Sequence, residues 1–317
     1  FFTKNIMKKK VLVTGGTGFL GSHICKRLIH QDINLICIDN LSTSDESNIE
    51  SLQGNNNFTF IKHDVIDPID DKFDEIYNFA CPASPPQYQK DPIKTSKTSV
   101  YGSLNLLENA NKNNSRILQA STSEVYGDPN VSPQGENYFG NVNPIGVRSC
   151  YDEGKRFAET LFFDYFRKFY TNIKIVRIFN TYGPNMKMND GRVISNIIVQ
   201  SLKNQDITIY GDGKQTRSFC YVDDLIDIIL IIMKSKKGIT GPFNIGNPSE
   251  FRIIDIAKKI INLTNSKSKI KYLDLPQDDP KQRKPDISLV KEIFNWNPKV
   301  GTEEGLKKTI NYFRNKI

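Results

Sequence analysis

The 317-residue chain reads as an α/β protein, a doubly wound parallel sheet covered by helices, with a smaller C-terminal lobe for substrate. Three observations carry that reading. The apolar run Val11-Leu12-Val13-Thr14 leads into a glycine-rich turn, Gly15-Gly16-Thr17-Gly18-Phe19-Leu20-Gly21, and then into an amphipathic stretch. Apolar runs of strand length alternate with stretches of helical period through the first 180 residues. Beyond residue 181 the segments become shorter and more polar, except over 219–246, where the sheet pattern returns.

Taken in order, residues 11–14 form a buried strand, 19–30 an amphipathic helix, and 34–38 a second strand ending at Asp39. This βαβ unit with a glycine turn is of Rossmann type. Further strands are expected at 58–62, 75–79, 116–121 and 174–178, with helices at 92–113 and 150–170. Residues 8–180, with 219–246 returning to them, make the dinucleotide-binding domain, while 181–218 and 247–317 make the substrate lobe. In such a sheet, ligands sit at the carboxyl ends of the strands. The second long helix carries Phe157, Ala158, Leu161, Phe162, Tyr165, Phe166, Phe169 and Tyr170, more than one apolar stripe. A homodimer through this helix and 92–113 would bury the second face, and a thicker monomeric core is the alternative.

The composition excludes several functions. The net charge is +8 and the pI about 9.0, but the basic residues are scattered, with no aromatic residues interleaved along a basic stripe, so no nucleic-acid partner is expected. Five cysteines without a CxxC spacing point to reduced thiols and a cytoplasmic protein, and three histidines without ligand spacing give no metal site. The longest apolar run, 225–233, is interrupted by Asp227 and is too short for a membrane span. No membrane contact is expected within the chain, although an anchor upstream of Phe1 stays open.

Gly15, Gly18 and Gly21 stand between a strand and a helix, where absent side chains let backbone amides approach a pyrophosphate. Asp39 lies 18 residues after Gly21, where its carboxylate would accept the adenosine ribose hydroxyls and repel a 2′-phosphate, so the cofactor is NAD. The alternative for Asp39 is the start of an Asp-Asn turn. The cofactor-binding set is Gly15, Gly18, Phe19, Leu20, Gly21, Asp39, Asn40, Ser42, Thr43, Asp64, Val65, Tyr151 and Lys155. Tyr151 and Lys155, four apart on one helix, share a face. An ammonium beside a phenol, whose pKa is ordinarily ~10, favours the phenolate and makes a base. Thr122, in Ser121-Thr122-Ser123-Glu124-Val125-Tyr126-Gly127 at the end of a strand, is placed to bind the hydroxyl that Tyr151 deprotonates.

With these residues in view, the chain resembles the extended short-chain dehydrogenase/reductases and, within them, the UDP-glucuronate decarboxylase family. The resemblance runs from about Lys9 to Phe313 and is most specific at Ala83-Ser84-Pro85-Pro86-Gln87-Tyr88, at Ser121 to Gly127, and at Asn143-Pro144-Ile145-Gly146 before Tyr151. Asn189-Asp190-Gly191-Arg192 and the stretch from Gln277 to Asp286 complete it. It implies UDP-glucuronate as substrate, oxidised at C4, decarboxylated as a 4-keto sugar and reduced again to UDP-xylose. The catalytic set it implies is Thr122, Ser123, Glu124, Tyr151 and Lys155. The substrate set is Lys97, Asn180, Arg192, Tyr210, Arg217 and Arg283, with Arg192, Arg217 and Arg283 against the diphosphate. Either Glu124 or Arg283 would handle the carboxylate or the C5 proton. Related 4,6-dehydratases usually carry Asp-Glu where this chain has Ser123-Glu124, and a second carboxylate would repel a substrate that brings its own. A UDP-glucuronate 4-epimerase, a 4,6-dehydratase and a non-catalytic dinucleotide sensor are the competing readings. The chain departs from the family pattern at Cys81, Ser99, Val147 and Asn185, usually Ser, Asn, Pro and Arg.

Overall fold

In the computed structural model the described residues are 8–188, 190–275 and 282–317, so Asn189 and the motif residues Gln277 to Pro280 lie outside them. Six strands, β1 (Lys9–Thr14), β2 (Ile33–Asp39), β3 (Phe58–Lys62), β4 (Glu75–Asn78), β5 (Arg116–Thr122) and β6 (Asn172–Ile178), form one parallel sheet with a seventh at its edge, Phe243–Ile245. The spatial order is β3-β2-β1-β4-β5-β6 and then Phe243–Ile245. The direction of winding reverses between β1 and β4, which opens a crevice at their carboxyl ends.

Burial explains why these strands read as nearly continuous apolar runs. Val11 and Val13 face one layer, with Leu35, Cys37 and the helix Val222–Met233. Leu12 faces the other, with Ile36, Ile76, Leu107 and Phe162. Alternate residues point to opposite faces, and helices cover both.

The segment 92–113 is not one regular helix. It runs as Pro92–Lys97, a π-helical turn Thr98–Gly102, and Ser103–Asn113. Asp91 caps its start by accepting from the Lys94 amide at 2.9 Å. Gly102 packs against Val65 so closely that a Cβ there would lie 2.7 Å from Cγ2. The π turn presents Ser99 to Gly154 on the helix Ser149–Phe169 and to Cys81, whose Sγ is 3.3 Å from Ser99 Oγ. Two positions that depart from the family pattern therefore meet each other.

Outside the main sheet, Ile207–Tyr210 pairs with Ile270–Leu273, and Thr216–Ser218 lies between Glu250–Arg252 and Gln282–Arg283. The parallel register of the last pair sets Arg283 beside Arg217. No described helix is long and apolar enough to cross a membrane.

Candidate active site

A cleft of about 510 Å³ runs from the glycine turn to the three-stranded sheet. At its first end, Gly15 has φ +67°, and a Cβ there would lie 2.7 Å from the Phe79 carbonyl. A Cβ on Gly21 would fall 2.1 Å from Gly15 O. The chain therefore passes close over its own backbone and leaves the N-terminus of the helix Phe19–Leu28 bare toward the cleft, a cradle that suits a pyrophosphate. Gly15, Gly18, Phe19, Leu20, Gly21 and Thr43 line the cleft. Asp39 lies just outside, its carboxylate accepting from the Thr17 amide at 3.2 Å and the Leu41 amide at 2.8 Å. Asn40 and Ser42 build the following turn, with the Ser42 amide donating to Asn40 Oδ1 at 3.0 Å.

Asp64 and Val65 are not on the cleft wall. Burial opposes ionisation of Asp64, but Lys94 at 2.6 Å and Asn40 at 2.8 Å hold its carboxyl below the usual range. Val65 is buried under Gly102.

At the centre, Thr122 ends β5, and its hydroxyl accepts from the Glu124 amide at 3.2 Å. Tyr151 and Lys155 project from the helix Ser149–Phe169 into the cleft. The Lys155 ammonium stands over the Tyr151 ring rather than against its hydroxyl. Lys155 Nζ donates to Ala120 O at 2.8 Å and lies 5.9 Å from the Tyr151 ring centroid. Burial pushes the Tyr151 phenol up, with Cys81 adding to the rise and a hydrogen bond from Thr122 opposing it. Burial also pulls the Lys155 amine down. Among the chain's own groups, desolvation thus opposes the phenolate while the Thr122 hydrogen bond favours it. Tyr88 stacks on Tyr151, rings 3° from parallel and 5.0 Å apart, and its buried hydroxyl has no partner among the described residues.

The far end is a charge cluster. Glu124 Oε1 lies 2.6 Å from Arg283 Nη1, and Oε2 lies 2.5 Å from Arg148 Nη2. Arg283 Nη1 also donates to Ser123 Oγ at 3.0 Å. Burial would push the Glu124 carboxyl up, but the guanidiniums of Arg283 and Arg148 hold it down at about 2. Behind Arg148, Asp152 is pushed up to about 8 by burial and by the negative charge of Glu124, against the pull of Arg148. Its Oδ1 is buried with no hydrogen-bond partner among the described residues.

Asn180, Arg192 and Arg217 also line the cleft, Arg192 paired with Asp190 at 3.2 Å. Lys97 and Tyr210 do not, and both are exposed. Arg148, Tyr88 and Asp152 were not singled out as site residues from the sequence, although all three stand in or beside the motifs. Helical spacing from Tyr151 was an available signal for Arg148, since residues three apart on a helix are neighbours.

The model of the NAD dependent epimerase/dehydratase family matches residues 11–246. The chain is 50% identical over 315 residues to UDP-glucuronic acid decarboxylase 6 of Arabidopsis thaliana, covering 99% of this chain and 90% of that protein. It is 48% identical over 310 residues to UDP-glucuronic acid decarboxylase 1 of Xenopus tropicalis, covering 98% and 73% respectively. Among solved structures, the UDP-glucuronic acid 4-epimerase of Bacillus cereus, in complex with UDP-glucuronic acid and NAD, superposes with a TM-score of 0.88 at 28% identity. That match covers 97% of this chain and 100% of the other.

Proposed function

The chain belongs to the NAD dependent epimerase/dehydratase family, and on that footing we propose that it is a UDP-glucuronate decarboxylase, releasing carbon dioxide and UDP-xylose. The observation that carries the choice of reaction is Ser123, a hydroxyl that accepts from Arg283 Nη1 at 3.0 Å beside Glu124. Two guanidiniums, Arg148 and Arg283, face one ionised carboxylate, while Asp152 is held mostly neutral at pH 7. A substrate carboxylate can be received beside Ser123 and Arg283, whereas a second enzyme carboxylate at position 123 would repel it.

NAD would be held along the glycine turn, where it would supply an acceptor for the C4 hydride of the sugar and give the hydride back, so that no net oxidation would occur. Gly15, Gly18 and Gly21 would leave room for its pyrophosphate, and Asp39, held by the Thr17 amide beside the cleft, would accept the ribose hydroxyls. Tyr151 takes the proton of the C4 hydroxyl, with Thr122 holding the same oxygen. Lys155, fixed on Ala120 O, orients the nicotinamide ribose. Arg192, Arg217 and Asn180 receive the diphosphate side of the substrate. Ser123 and Arg283 receive the C6 carboxylate, and Glu124, ionised at neutral pH, holds the two guanidiniums together. Once C4 is a ketone, the C5–C6 bond breaks, carbon dioxide leaves, and the electron pair moves into the C4 oxygen, steadied by the Tyr151 and Thr122 hydroxyls. C5 then takes a proton of solvent origin at the Glu124 end of the cleft.

The test is to incubate the purified chain with UDP-glucuronate and follow carbon dioxide together with the product sugar. Equal amounts of carbon dioxide and UDP-xylose support the reading. UDP-galacturonate without carbon dioxide would make the protein a 4-epimerase, and bound NAD without turnover would make it a sensor. We also propose a homodimer through the helix Ser149–Phe169 and residues 92–113, since Phe157, Phe169 and Tyr101 are each about half exposed there. The five cysteines, all free thiols, support a cytoplasmic site of action.

A further inference from the structure

The cofactor end of the cleft is roofed by residues far from the glycine turn in sequence: Asn48, Asn185, Lys187 and Tyr312. Five contacts hold this roof, three of them to the turn and its helix. Asn48 Nδ2 donates both to Thr17 O at 2.9 Å and to Asn185 O at 3.3 Å. Asn185 Nδ2 donates to Ser22 Oγ at 2.9 Å, on the helix Phe19–Leu28. His23 Nε2 is 2.9 Å from Pro184 O. From the C-terminal helix Thr302–Arg314, the Tyr312 hydroxyl faces the Asn185 backbone, whose influence favours its ionised form against the burial that opposes it. Asn185 is buried, with φ 70°, a left-handed conformation that asparagine accepts more readily than most residues.

We infer that Pro184 and Asn185, held by Asn48, Ser22, His23 and Tyr312, form a latch that keeps the dinucleotide in place between the two halves of the reaction. The inference rests on the proposed function, in which the cofactor is reduced and must be reoxidised before it leaves. Thr17, Ser22 and His23 belong to the cradle, Asn48 follows β2, and Pro184 and Asn185 follow β6. A dinucleotide in the cradle leaves past this seam, so opening the seam means breaking these hydrogen bonds. The latch residues touch none of the groups assigned to the sugar or its carboxylate, and they act on retention of cofactor.

The test is the dissociation rate of NADH, followed by the fall in its bound fluorescence when excess NAD is added to the NADH-loaded protein. Asn48→Ala, which breaks two of the contacts, is expected to speed release about tenfold, the effect of losing roughly one net buried hydrogen bond. Tyr312→Phe, which removes only a hydroxyl, is expected to speed it about threefold, and UDP affinity in both is expected to stay within twofold of the parent. During turnover the same variants release more 4-keto pentose relative to UDP-xylose. Unchanged off-rates in folded variants would overturn the latch, and so would a parallel loss of UDP affinity, which would mean general loosening. A parent chain that binds no NADH would instead overturn the proposed function itself.

Discussion

Substituting Ser123→Asp puts a carboxylate where the hydroxyl now accepts from Arg283 at 3.0 Å. The new carboxylate would then engage Arg283 and stand against the place proposed for the substrate's C6 carboxylate. A substrate carboxylate seated roughly 5 Å from the new one, at an effective dielectric constant of ~20, meets a repulsion of about 3 kcal/mol. That corresponds to about 200-fold weaker binding. The assay is a pair of titrations in the presence of NAD, one with UDP-glucuronate and one with UDP-glucose, which has the same nucleotide and no carboxylate. The expected result is about a 200-fold loss for UDP-glucuronate and less than a threefold change for UDP-glucose. Equal losses for both ligands would mean that the substitution merely disturbs the fold of the cleft. No loss for either would refute the assignment of the cluster to the carboxylate.

Tyr151→Phe is expected to lower kcat by about a thousandfold, as for loss of a general base, while NADH affinity changes less than twofold; near-parental turnover would reject Tyr151 as the base. Asp152 has its folded-state pKa raised to about 8 from the ordinary 3.8, so its stabilising neutral form is retained at low pH and its cost to folding grows between about pH 4 and 8. Asp152→Asn should therefore gain stability relative to the parent across that window, by up to roughly 5 kcal/mol at pH 8. A stability difference independent of pH in denaturant titrations would contradict it. If the proposed homodimer forms, Phe157→Glu is expected to convert it into monomers in sedimentation experiments, and an unchanged mass would remove that helix from the proposed interface.

The dinucleotide half was legible because its signals are local. A buried strand, a glycine turn and a helix follow one another within about twenty residues, and strands covered on both faces read as unbroken apolar runs. The π turn at Thr98–Gly102 was not legible, since it arises from packing against Val65, Cys81 and Gly154 rather than from any change of period in 92–113. Arg217 and Arg283 were recognised separately, but their adjacency comes from a strand register between distant segments, which no local pattern encodes. Lys97 and Tyr210 were expected at the substrate and are exposed instead, because which face of an element meets the cleft is set by tertiary packing. Lys155 shares a helical face with Tyr151 as its spacing requires, yet its ammonium is taken up by Ala120 O, a partner that spacing alone does not disclose.

The most direct test of the borrowed-hydride decarboxylation is to follow UDP-glucuronate carrying deuterium at C4, with no NAD added beyond what purifies with the protein. The expected outcome is many turnovers per bound NAD, one carbon dioxide per sugar, and UDP-xylose that keeps the deuterium at C4. Loss of the deuterium, or turnover that stops after one equivalent of reduced cofactor, would contradict a hydride that leaves and returns at the same carbon.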